Sequence, residues 1–496
     1  MTQNAGNQRG FLLKFPLLIV VMAYLYFSAR STSERVSRPW TMSPWEAALV
    51  VDASRMLDGQ PVYEDPKTGH ATHMYGPLAT YAVAPLVAKW GPDVRMPRAI
   101  SLAATLLVCM LAAALSFRRG WFGTMLGFAL CWFQFYRIRD WATESRPDAT
   151  SLLLLSLALL LFYQSTRTLR GGAIAICMLG GIAVMLIGFF FKQTAAVAAI
   201  VAPVFVLLDP ERRSWKRVAV SLIPLATIGL ALMILRFATP WIYFYMVSVP
   251  AGYPVNWGNW MLAVLELARF NSLFVAVLLG WAVMQSRRDQ IDRADSCLLA
   301  AIVVLALTTS VARAKVGGAF NSMLPAYIAM SVFCARALPA IFDTTVQVSP
   351  PLGRWFIAIV LAGLPIVDIA AAAPTLNPGA LALRQGDVYY LRLINIAGGL
   401  PGKFVSPDDP TIALRARGYK GRCAYCELDA NLHKLPDFAL DELAEADWML
   451  QINASRPPAV SDEQLRSLGF EVAEGIIPQG SVYILWKRST PATRPN

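Results

Sequence analysis

Apolar runs of about 20 residues recur through the first three quarters of the chain, separated by short polar breaks. They predict about eleven membrane-spanning helices, at 11–29, 98–117, 121–136, 149–163, 171–191, 194–208, 218–237, 261–284, 294–311, 323–341 and 355–373. Such long, evenly spread segments exclude an outer-membrane barrel, whose strands are short and alternate. Lys14 and Pro16 interrupt the first run and no small-residue cleavage site follows, so it reads as a retained span and not a signal peptide. Beyond Ala373 the period changes. KFVSPD, DWMLQIN, FEVAEGI and SVYILWKR read as short strands, with DPTIALRA, FALDELAEA and SDEQLRSLG as helices between them. The expected fold is an all-α polytopic membrane protein, residues 1–373, with a small C-terminal soluble α/β domain, residues 374–496.

One stretch fits neither class. Trp45 to Tyr81, inside an outer loop at 30–97, is too polar to cross a bilayer and mixes acids, aromatics and turn-formers. Ser43-Pro44 begins a helix, since Ser suits the cap and Pro the first position, and Gly59 closes it. A second apolar segment runs from Gly76 to Trp90. Arginine clusters follow the second, fourth, sixth and eighth spans, which puts those loops on the cytoplasmic side together with the N-terminus. The first loop, the loop ending in Asp148, the junction at Lys192, the 241–260 loop and the C-terminal domain then fall outside. Counting 76–90 as a span would reverse this, so it reads as an interfacial helix.

Composition supports the membrane reading: 56% of residues are hydrophobic, 15% are charged and the mean hydropathy is +0.48. The net charge of +12 invites a nucleic-acid partner. Its distribution argues against one, because from Pro374 onward 13 Lys+Arg face 14 Asp+Glu and the excess lies among the span connections. Five cysteines lie in or beside spans and read as small buried hydrophobes. Cys423 and Cys426 form a C-x-x-C, whose modest reading in an oxidising compartment is a local disulfide. His70 and His73, three residues apart, have a metal-compatible spacing but no third ligand, so no metal site is assigned.

The remaining chemistry is acidic and cationic. Glu46 sits in the first turn of the loop helix, where the helix dipole favours a carboxylate, and Asp52 lies six residues on. The ordinary reading is an amphipathic surface helix with solvated acids. Asp140, Glu144 and Asp148 fall on the same side, and Asp148 stands at the mouth of a span, where a carboxylate is costly unless partnered. Lys192, Arg313 and Lys315 add cations there, which suit an anionic headgroup such as a lipid phosphate, although each alone can be a snorkelling residue. Trp241, Tyr243, Tyr245, Tyr253, Trp257 and Trp260 crowd one outer loop, as an interfacial belt or as a surface for a sugar or polyprenyl chain.

In order and sidedness, WEAALVVDASRMLDGQPVY, MYGPLATYAVAPL, SRPDATSLLLL, FKQT and GGAFNSMLPAY resemble the GT-C superfamily of integral-membrane glycosyltransferases. The likeness is to the bacterial branch related to protein mannosyltransferases and the lipid A aminoarabinose transferase, and covers most of 11–338. It implies inverting transfer of a sugar from a polyprenyl-phosphate donor to a lipid, glycan or protein acceptor on the outer face of the bacterial inner membrane. Relatives often carry an Asp-Glu pair at the start of the loop helix; here Trp45 takes the first place. The resemblance thus implies Glu46 as the base, Asp52 as its competitor and Asp148 as an acceptor- or ion-binding partner. Lys192, with Arg313 or Lys315, would hold the donor phosphate. His73, Tyr75, Glu144, Arg146 and Asn321, in or directly before the same motifs, complete the expected substrate-binding set. No cofactor is assigned, and a requirement for a divalent cation, Mg or Mn, stays open. A transporter or lipid flippase, or a surface-glycan polymerase or ligase, are the rival classes; a transporter should carry its ionisable residues at mid-span.

Overall fold

The computed structural model describes residues 2–67, 69–137, 143–168, 171–209, 214–269, 271–286, 292–315, 318–348, 358–364, 366–368, 380–431, 437–452, 459–477 and 482–489. Its first eight α-helices are α1 Thr2–Val36, α2 Pro44–Leu57, α3 Pro77–Trp90, α4 Arg95–Ser116, α5 Gly120–Arg137, α6 Asp148–Arg167, α7 Gly171–Phe191 and α8 Val197–Leu207. Helices Ile223–Ala238, Trp257–Arg269, Ser272–Gln285, Arg293–Ala314 and Leu324–Val348 follow within the bundle.

Among the described residues, seven segments are long and apolar enough to cross a membrane, or eight if the pair Trp257–Arg269 and Ser272–Gln285, bent by 70°, is one span. The difference from eleven has local causes. The expected second and third spans form one run, Arg95–Tyr136, that folds back at Gly120, whose φ of 78° suits glycine. The two halves pack so tightly that a Cβ on Gly127 would lie 2.6 Å from the Ala112 carbonyl oxygen. The sixth is a short helix, Gln193–Leu207, and the last lies partly outside the described residues, with Ala358–Asp368 apolar but short. Asp140 and His433 also lie outside them. Helix Leu324–Val348 is the central post: 83% of its apolar window is buried, against at most 44% in the others. Tyr327, Phe333 and Leu338 on it pack with Phe135, Leu126 and Leu305.

The C-terminal domain is α/β as expected. Strands β1 Phe404–Val405, β2 Trp448–Ile452, β3 Phe470–Val472 and β4 Tyr483–Arg488 form a sheet of order β1-β2-β4-β3, with only the β1–β2 pair parallel. Alternation sends Trp448, Leu450 and Leu485 to one face, against Tyr390, Ala397 and Ile412. It sends Met449 and Trp486 to the other, against Leu443 and Leu465. Both faces are therefore covered by helices.

This domain rests on the loop at 30–97. Leu414 enters a core with Val50, Val51, Ala79 and Val83, so α2 lies between α3 and the C-terminal helices. Every α2 residue from Glu46 to Arg55 is buried. The amphipathic reading of α2, with solvated acids, does not hold, because both of its faces are packed.

Candidate active site

The site forms where four chain segments meet at one end of the bundle. Lys192 follows the last turn of α7, Asp148 opens α6, Asn321 lies on the turn Phe320–Met323, and Tyr75 comes from the loop before α3. Gly76 explains how Tyr75 reaches α7. Its N–H donates to the Phe191 carbonyl at 3.1 Å, and a Cβ there would lie 2.0 Å from the Phe190 carbonyl oxygen. Only glycine permits that approach. Ser151 in the first turn of α6 donates to the Lys192 carbonyl at 3.2 Å, which ties α6 to the end of α7.

Asp148 is the hub. Its Oδ1 accepts from Lys192 Nζ at 2.5 Å and from Asn321 Nδ2 at 2.6 Å. Its Oδ2 faces Arg146 Nε at 3.4 Å as an ion pair, yet accepts no hydrogen bond among the described residues. Held there by an ion pair alone, this buried oxygen keeps acceptor capacity for a water or a ligand hydroxyl. The Tyr75 ring lies under both cations, 5.5 Å from the Arg146 guanidinium and 5.6 Å from Lys192 Nζ. Burial, reinforced by Arg146, pulls the Lys192 ammonium below its usual pKa, and Asp148 opposes that shift in part. Burial also works against the Arg146 charge, but Tyr75, Asp148 and Glu144 outweigh it and its pKa rises.

Glu46 has a different setting. It is fully buried, and Arg98 grips it in a fork, Nε to Oε1 at 2.8 Å and Nη2 to Oε2 at 2.6 Å. The Ser145 and Met42 amides add one hydrogen bond to each oxygen at 2.8 Å. Its carboxylate thus already accepts four bonds, and Arg98 in turn caps the carbonyls of Arg35, Arg38 and Trp40. Glu46 fastens the exit of α1 and the 143–147 segment to α4. Ser43, the cap residue of α2, donates to Glu144 at 2.9 Å, and Glu144 lies 3.4 Å from Arg146 Nη1.

Asp52 lies deeper in the loop. It accepts from the Thr72 hydroxyl and from Arg55 at 3.3 Å, and burial raises its pKa to about 6 against the pull of Arg55. His73 Nε2 stands 3.9 Å from it. Burial lowers the His73 pKa to about 3, so the ring is neutral. Nδ1 accepts the Tyr75 amide at 3.2 Å, which assigns the proton to Nε2, bonded to Thr80 at 2.9 Å. His73 also stacks on Tyr75 with centroids 5.0 Å apart. Asp52 and His73 thus set the position of the Tyr75 ring.

The structure brings Asp148, Lys192, Arg146, Asn321, Tyr75 and Glu144 together, with Glu46 and His73 bracing them. It places Arg313 and Lys315 elsewhere: Arg313 bonds the Gly318 carbonyl at 2.9 Å and covers Phe320, while Lys315 bonds the Pro250 carbonyl at 2.6 Å. Among the described residues no three His, Cys, Asp or Glu side chains converge on a metal position. Cys423 and Cys426 are free buried thiols, and the expected bracing disulfide is not formed. Of the aromatic loop, Tyr245 is buried while Trp257 is exposed.

The C-terminal domain covers the site, which the residue pattern does not reveal. Asp429 accepts from Trp45 Nε1 at 2.7 Å and from Tyr253 at 2.6 Å, and Glu427 accepts the Ala71 amide at 3.0 Å. Trp45 itself lies over the Arg146 guanidinium at 5.4 Å.

No protein-family model matches this sequence, and no curated protein matches it. Among solved structures it is similar to ArnT from Cupriavidus metallidurans. With ArnT bound to undecaprenyl phosphate the TM-score is 0.55 at 12% identity, covering 97% of this chain and 100% of that one. With apo ArnT the TM-score is 0.57 at 13% identity, covering 97% and 99%. At these identities the likeness establishes the fold, and the chain has the GT-C membrane-protein fold.

Proposed function

We propose that this chain is an inverting membrane glycosyltransferase that takes its sugar from a polyprenyl-phosphate donor. The observation that carries the reading is the buried Arg146–Asp148–Lys192 cluster, with one carboxylate oxygen open, at the end of a bundle with the GT-C fold. Lys192 and Arg146 receive the donor phosphate, as two cations over one aromatic ring suit a phosphoryl oxygen set better than either does alone. Asp148 Oδ2 accepts the proton of the acceptor hydroxyl. The acceptor oxygen then bonds the anomeric carbon, the bond from that carbon to the phosphate oxygen breaks, and polyprenyl phosphate leaves with the electron pair. As the donor phosphate draws Lys192 and Arg146 toward itself, Asp148 loses partners and gains basicity. Glu46 and Asp52 are assigned positioning roles, because the Glu46 oxygens are fully engaged and Asp52 braces the Tyr75 loop.

An apolar groove between α6, helix Arg293–Ala314 and helix Leu324–Val348 supports the lipid part of the reading. Its upper end, at Leu152, Leu305 and Pro325, begins one helical turn from Asp148 and Asn321. That is where the first isoprene units of a donor held at Lys192 would lie. The undecaprenyl phosphate bound to ArnT is a ligand of the same class. The site faces the outer side, with the N-terminus cytoplasmic, by the arginine distribution of the loops. The acceptor is a lipid, glycan or protein hydroxyl.

The test is purified protein incubated with a polyprenyl-phosphate sugar and cell-envelope acceptors. Release of free polyprenyl phosphate with sugar transfer supports the enzyme. Accumulation of intact donor in sealed vesicles without release would establish a flippase instead.

A further inference from the structure

At the end of the bundle opposite the candidate active site lies a second, chemically distinct cavity. α6 carries Asp148 at its first residue and Arg167 at its last, which at 1.5 Å per residue sets the two about 30 Å apart, one hydrocarbon thickness. The cavity at the Arg167 end has a volume of about 1070 Å³. Arg118, Arg119, Arg167, Arg293 and Arg336 line it, with Asp292 as the one carboxylate among the described lining residues.

This is more than the arginine excess of cytoplasmic loops. Arg336 belongs to the central helix, where its Nε bonds Asp295 at 2.7 Å and its Nη1 bonds the Leu115 carbonyl at 3.2 Å. Arg119 bonds Asp292 at 2.8 Å and Asp295 at 3.3 Å, and Arg293 bonds Asp209 at 3.3 Å. The three carboxylates hold three guanidiniums in place, and among the described residues five arginines meet three acids here. The lower end of the apolar groove, at Leu160, Tyr163 and Ala294, opens into the same cavity, and those residues with Leu115 and Arg336 line both. A cationic chamber continuous with an apolar groove at membrane depth complements one kind of ligand.

We infer that this cavity binds the phosphate headgroup of an anionic phospholipid, with an acyl chain in the lower end of the groove. The guanidiniums supply forked donors for phosphoryl oxygens, and the leaflet at that end supplies the lipid. The inference does not depend on the transferase reading.

The test is native mass spectrometry of the full chain in detergent, offered equal amounts of phosphatidylglycerol and phosphatidylcholine. The expected result is one phosphatidylglycerol retained in preference to phosphatidylcholine. Arg118→Glu with Arg167→Gln, at two exposed positions, should lower that retention at least about tenfold at an unchanged melting temperature, since two guanidinium donors to the phosphate are lost and one charge is reversed. Retention should persist in millimolar inorganic phosphate. Equal retention of the two lipids, or retention unchanged in the double variant, would overturn the inference. Displacement by inorganic phosphate would also overturn it, by making this a site for a soluble anion.

Discussion

Glu46→Gln separates a catalytic from a positioning role for the acid that the loop motif puts first. The wild-type carboxylate is a buried fork partner of Arg98 and accepts two amides. Glutamine keeps the shape but points an NH2 at donors and leaves the Arg98 charge in the core without its counter-ion. Breaking one side of such a buried pair costs about 3–5 kcal/mol. Arg98→Met alone should cost a similar amount, because Glu46 is then the unpaired charge. Glu46→Gln with Arg98→Met should cost less than the sum of the two single losses, with a coupling of about 1–3 kcal/mol. Three carbonyls lose Arg98 in the double variant, so recovery is incomplete. The assay is chemical unfolding in mixed micelles, paired with transfer rate per folded molecule. Rates within about tenfold of wild type are expected for Glu46→Gln, well short of the 10²–10⁴ loss of a removed general base. A Glu46→Gln protein as stable as wild type but inactive by that larger factor would refute the positioning role and restore Glu46 as the base.

Lys192→Met should raise KM for the polyprenyl-phosphate donor and lower kcat, measured by steady-state transfer, since phosphate binding and departure both use that cation. Gly76→Ala should lower activity and melting temperature together, because its Cβ would collide with the Phe190 carbonyl and push the Tyr75 loop away from Lys192. Asp52 gives a pH signature. Its folded pKa of about 6 lies above the ordinary 3.8, so between those values the folded state keeps a proton that the unfolded chain has lost. Its contribution to stability is full below pH 3.8, falls as pH rises through 6, and amounts to about 3 kcal/mol at 1.36 kcal/mol per unit. Asp52→Asn should remove that fall, seen as a stability difference from wild type that grows across this interval.

The spans were legible because length and hydropathy are local properties, and the sheet because KFVSPD, DWMLQIN, FEVAEGI and SVYILWKR alternate between turn signals. The fold-back at Gly120 yields two helices, Arg95–Ser116 and Gly120–Arg137, where two spans are expected. The count falls short where the bend between Arg269 and Ser272 breaks one span and where Gln193–Leu207 and Ala358–Asp368 are short. Sidedness alone foreshadowed the meeting of Asp148 and Lys192, since both end spans on one face. Partners that depend on tertiary distance were not legible. Arg98 reads as a span-flanking cation until Glu46, 52 residues away, is found in its fork. Arg146 outranks Arg313 and Lys315 as the companion of Lys192 only because the 143–147 segment turns back over Tyr75. Asp429 and Glu427, which close the C-terminal domain over the loop, carry no local signal beyond an acidic helix.

The central claim is that Asp148, held by Lys192 and Asn321, takes the proton in transfer from a lipid-phosphate sugar. The direct measurement is release of free polyprenyl phosphate from a polyprenyl-phosphate sugar by purified wild type and Asp148→Asn. The account predicts release by wild type and a loss of about 10²–10⁴ in Asp148→Asn at unchanged melting temperature. Equal release by the two proteins would contradict it.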